Sequence, residues 1–175
     1  PLVGSLSRPL GGLLADKIGG AKVTFWNFVL MAGATLGVIH YVDIKSFPGF
    51  LAMFLTLFVA TGIGNGSTYR MIPSIFREEK LRTIGSGAEA TALAVQAARI
   101  ESAAALGFIG AVGACGGYLI PRGFGASIAL TGGPHFALGV YLAFYAICIA
   151  ATWWYYLRRS FLAKQAPSSL AAARV

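Results

Sequence analysis

Acidic side chains are scarce in this chain: six Asp and Glu stand against fourteen Lys and Arg in 175 residues. Charged residues make up 11% of the total, where a soluble domain carries about 25%, which argues against a water-soluble fold. None of the acids stands inside an apolar run, and His40 and Glu101 reach only the ends of such runs. A proton relay across a membrane needs buried titratable groups, and this stretch supplies none of its own. There are only two cysteines, Cys115 and Cys148, both in apolar segments without metal-ligand spacing, and both read as packing residues. A phosphate-binding glycine loop, a metal-ligand cluster and a nucleophile–base pair are also missing. Their absence argues against an ATP-driven pump subunit and against a membrane enzyme, and no cofactor or metal is expected.

What is present is apolar: 57% of the residues are hydrophobic. The pattern predicts an all-α fold, a polytopic transmembrane helical bundle with membrane lipid around it. Helices are expected at about 1–14, 23–42, 50–76, 102–121 and 137–157, with a tail over 158–175. Pro48-Gly49 reads as a breaker, 88–99 as a helical stretch on the membrane surface, and 122–136 as a glycine-rich loop. Trp153-Trp-Tyr-Tyr156 forms an aromatic belt. The chain opens at Pro1 inside an apolar helix, without an initiator Met. The expectation is therefore a piece of a longer protein, its N-terminal part missing, with no cleavable signal peptide in this stretch.

Alternate loops and the tail carry Lys17, Lys22, Arg77, Lys80, Arg82, Arg99, Arg158, Arg159, Lys164 and Arg174, while the opposite loops carry only Lys45 and Arg122. The positive-inside rule places the first set and the C-terminus in the cytoplasm, which implies an inner (plasma) membrane protein. Topology thus accounts for the net charge of +8, and nucleic acid is not needed as a partner.

Only Arg8 and Arg70 remain inside spans. Arg8 shares its apolar segment with no carboxylate; the next charge is Asp16. At 1.5 Å per residue it lies about 12 Å from that border, near the depth where transporter substrates bind. A cation there faces a cavity, a carboxylate from another helix or an anionic ligand, or else snorkels to the surface. The planar guanidinium fork suits an oxyanion. Arg70, near the end of its span, reads as an interfacial anchor.

Two glycine-rich stretches stand out. Ala104-Ala-Leu-Gly-Phe-Ile-Gly-Ala-Val-Gly-Ala-Cys-Gly-Gly117 carries glycine at 107, 110, 113, 116 and 117. This bare stripe serves close helix packing, or packing together with substrate passage and helix sliding at Gly113 and Gly117. In Thr61-Gly-Ile-Gly-Asn-Gly-Ser-Thr-Tyr69, Gly62 and Gly66 are spaced for tight packing. Asn65 there marks either a helix bend or a polar pathway lining.

Gly12-Leu-Leu-Ala-Asp-Lys-Ile-Gly-Gly-Ala-Lys22 resembles the G-x-L-A-D-R/K-x-G loop motif of the major facilitator superfamily. Together with Arg8, the Gly62–Tyr69 segment and the Gly107–Gly117 stripe, the chain to about Leu157 resembles the nitrate/nitrite porter family. The match runs from within helix 8 to helix 12, the C-terminal half of such a transporter. The resemblance implies that nitrate and nitrite are the substrates. It makes Arg8 the second of two substrate-binding arginines, the first lying in the missing N-terminal half. Gly107 and Gly110 would line the substrate site, and Asp16, Lys17 and Gly19 would serve the inner gate. Family mechanisms divide between nitrate/nitrite exchange and proton-coupled uptake, and the lack of intramembrane acids fits exchange. Other readings are a facilitator for another small anion and, disfavoured by the short simple tail, a non-transporting sensor.

Overall fold

A computed structural model describes residues 2–83 and 88–157. It contains α1 (Leu2–Ile18), α2 (Gly20–Asp43), α3 (Phe47–Thr83), α4 (Ala88–Thr131) and α5 (His135–Thr152), which continues into a π-helical turn, Trp153–Leu157. No strand occurs among the described residues, as expected of an all-α bundle. Four of the helices, α2 to α5, are long and apolar enough to cross a membrane. The molecule is therefore a multi-pass integral membrane protein.

Helix α3 is the centre of the bundle, packing on α1, α2 and α4, while α5 packs on α2 and also touches α4. The contacts between helices use small side chains. Ala15, Ala34, Ala60, Ala94 and Ala98 are buried, whereas Phe108 and Leu130 are 72% and 85% exposed. This reverses the order of a soluble core. In lipid, large apolar groups gain nothing by turning inward, and association rests on close van der Waals contact between small faces.

Helix ends differ from the apolar pattern in physically instructive ways. Pro48 does not break the chain; it sits in the first turn of α3, where a missing N–H costs nothing. The turn before it closes through Lys45, whose φ is 54°. Helix α3 continues past residue 76 to Thr83, because Arg77–Arg82 is polar yet helix-forming: hydropathy marks the edge of the membrane, not the end of a helix. For the same reason 88–99 is not a separate surface helix but the opening turns of α4, which runs unbroken for 44 residues. The expected loop over 122–136 is helical as far as Thr131. Pro121 is carried inside α4, and the chain leaves the helix only at Gly132, with φ of 75°, ahead of Pro134. The predicted tail, 158–175, lies outside the described residues.

The two ends of the bundle are held differently. At the basic end, Lys80 Nζ lies 2.6 Å from Glu101 Oε1 and joins α3 to α4. At the opposite end, His135 Nε2 lies 2.7 Å from Asp43 Oδ1 and joins the start of α5 to the end of α2.

Candidate functional site

Helices α1 and α3 run in parallel and almost touch. Ser7, Gly11 and Ala15 recur every four residues and form the buried face of α1. Opposite them, Gly62 and Gly66 remove side chains from α3. A Cβ at Gly62 would overlap Ser7 Oγ and the Gly4 carbonyl, and one at Gly11 would overlap the Ile63 backbone. Ser7 Oγ lies 3.0 Å from the Gly4 carbonyl oxygen and 3.1 Å from that of Val59, so its one proton serves both its own helix and its neighbour. Deeper toward α2, fully buried Ser67 donates to the Gly20 carbonyl at 3.2 Å.

Arg8 follows Ser7 and so stands just off this buried face, exposed. Its own carbonyl rests on Gly66, where a Cβ would overlap it. No carboxylate pairs with the guanidinium among the described residues. The six acids lie toward the ends of the bundle, and the pairs among described groups join Asp16 to Arg70, Glu101 to Lys80, Glu78 to Arg82 and Asp43 to His135. The α1–α3 contact thus fixes the backbone of a cation that this part of the molecule leaves uncompensated.

Two turns on, Asp16 meets Arg70. Nε donates to Oδ1 and Nη2 to Oδ2, each at 3.1 Å, a bidentate pair that clasps the end of α1 to α3. Arg70 is therefore not simply an interfacial anchor. Sequence reasoning missed this because the pairing depends on the register between two helices; the available signal was a lone acid and a lone span arginine at the same end. Gly19 then turns the chain into α2 with φ of 92°, a conformation that favours glycine. Lys17 is exposed in the last turn of α1, beside this clasp.

Among the described residues, packing does not consume the glycine stripe of α4. A Cβ at Gly107, Gly113 or Gly117 would meet nothing within 4 Å. At Gly110 it would find one neighbour, Tyr69 Oη of α3, at 3.4 Å. Asn65 is half-buried, and no side-chain hydrogen bond holds it among the described residues. The structure therefore places Arg8 and Asp16 along the α1–α3 seam, two turns apart, with Gly19 in the turn that leaves α1. Gly107, Gly113 and Gly117 lie on an open face of α4.

No protein-family model matches the chain. It is 42% identical over 164 residues to the nitrate/nitrite transporter NarU of Salmonella typhimurium, covering 91% of this chain and 35% of that protein. Identity to NarU of Escherichia coli is 40% over 169 residues, covering 94% and 36%. The probable nitrate/nitrite antiporter NarK2 of Thermus thermophilus is 29% identical over 163 residues, covering 91% and 32%. The chain spans about a third of the length of the curated relatives it matches. The chain is thus similar, over nearly its whole length, to about a third of the length of these nitrate/nitrite transporters.

Proposed function

We propose that the chain is the C-terminal part of a secondary transporter that exchanges nitrate and nitrite across the inner membrane by alternating access. The observation that carries this reading is the uncompensated cation of Arg8, seated on Gly66 in a chain similar to nitrate/nitrite transporters. In the full transporter, a second set of helices from the rest of the protein faces the open side of α4 and supplies further anion contacts. Gly107 and Gly110 line the path, while Gly113, Gly117 and Asn65 let their helices shift against that partner. Two cationic groups without a counter-carboxylate oppose closure of the empty carrier. A bound anion lowers that electrostatic cost, which ties reorientation to occupancy. The Asp16–Arg70 clasp, with Lys17 and the Gly19 turn, holds the cytoplasmic end of α1 in the gate-closed arrangement. Exchange is favoured over proton symport because the carboxylates cluster toward the bundle ends, away from Arg8.

The test is nitrate uptake into proteoliposomes holding the full-length protein, with nitrite inside, or empty with an imposed pH gradient. Exchange predicts uptake only with internal nitrite. Gradient-driven uptake into empty vesicles would replace exchange by proton coupling, and uptake under neither condition would point to a different anion.

A further inference from the structure

One polar group in this region remains unassigned. Tyr69 is 42% exposed, and its hydroxyl has no hydrogen-bond partner among the described residues. It lies one turn beyond Gly66 on α3, the glycine on which the Arg8 carbonyl rests. From there it reaches α4, where its Oη is the neighbour that a Cβ at Gly110 would meet, at 3.4 Å. Helical side chains lean toward the N-terminus of their helix, so the Tyr69 ring leans back along α3 toward the level of the Arg8 backbone. A single turn of α3 thus carries both the seat of the Arg8 backbone and, three residues on, a neutral O–H donor over bare α4 backbone.

We infer that Tyr69 is a specificity-determining residue of the anion site, its hydroxyl donating to the substrate oxygen that the Arg8 fork leaves open. This rests on the transport reading above. The chemistry is that of a planar oxyanion. A guanidinium fork engages two oxygens in parallel, which leaves a trigonal anion such as nitrate one more oxygen to satisfy. Nitrite has no third oxygen. A phenol contributes one proton and no charge, so it favours the three-oxygen anion without deepening electrostatic attraction for both. Gly110 makes room for it: a larger residue at that position would crowd the hydroxyl.

The experiment compares KM for nitrate and for nitrite in proteoliposomes of the full-length protein, its Tyr69→Phe variant and the double variant Tyr69→Phe/Gly110→Ser. Losing one hydrogen bond to a charged ligand is expected to raise the nitrate KM about tenfold, while the nitrite KM and both maximal rates move less than about twofold. The serine at position 110 places a hydroxyl close to the lost one, and the double variant should recover most of the nitrate affinity. An unchanged nitrate KM in Tyr69→Phe, or an equal rise for both anions without recovery in the double variant, overturns the assignment. A wild-type protein that moves neither anion overturns the transport reading itself and with it this role. Nitrate-dependent thermal shift of the purified proteins gives the same comparison should reconstitution of a variant fail.

Discussion

At the scale of single residues, glycines with the same sequence signature do opposite things. Gly66 is occupied, with the Arg8 carbonyl where its side chain would be; Gly107 faces open space. Gly66→Ala must push α1 away from α3, and it is expected to destabilise the full-length protein by about 2 kcal/mol or more, the cost of overpacking. Thermal unfolding in detergent measures this. Gly107→Ala adds a methyl that meets nothing within 4 Å among the described residues and gains about 1 kcal/mol of helix propensity. Its melting temperature should hold or rise while transport slows if the stripe lines the path. A marked loss of stability would instead show that position 107 packs against another part of the transporter. Gly19→Ala, at φ of 92°, should cost about 1–2 kcal/mol for backbone reasons alone.

Among the helices, much of the fold could be read from the residues and some could not. The number of helices among the described residues follows from the apolar runs. Helix ends do not, because Arg77–Arg82 and Ala88–Arg99 are polar for reasons of water exposure and remain helical. Pro48 and Pro121 resemble breakers but are accommodated, one in a first turn and one inside a membrane helix where neighbours absorb the lost bond. Arg8 was legible as a candidate site residue because an unpaired cation in an apolar run is rare. Its dependence on Gly66 and the Asp16–Arg70 clasp were not, since both require the α1–α3 register. That clasp is half-exposed, with side-chain exposures of 44% for Asp16 and 63% for Arg70, so its contribution to stability stays within about 1 kcal/mol. A gating role makes a different prediction. Arg70→Ala should lower the maximal transport rate several-fold with little change in melting temperature. The exchanged pair Asp16→Arg/Arg70→Asp should recover part of it. The His135–Asp43 contact joins α5 to the last residue of α2 at the other end of the bundle, and His135→Ala should leave KM unchanged.

The whole molecule is a bundle with a small-residue interior and one conspicuously bare helix face. Its chain corresponds to about a third of the length of the transporters it matches. The central claim is that Arg8 binds the transported anion through its planar fork, which a lysine keeps in charge but not in geometry. The decisive measurement is nitrate uptake into nitrite-loaded proteoliposomes by the full-length protein and its Arg8→Lys variant, matched for the amount inserted and for melting temperature. The account predicts robust uptake by the wild type and a loss of at least about tenfold in the variant. Uptake by Arg8→Lys within twofold of wild type, with KM unchanged, would contradict it.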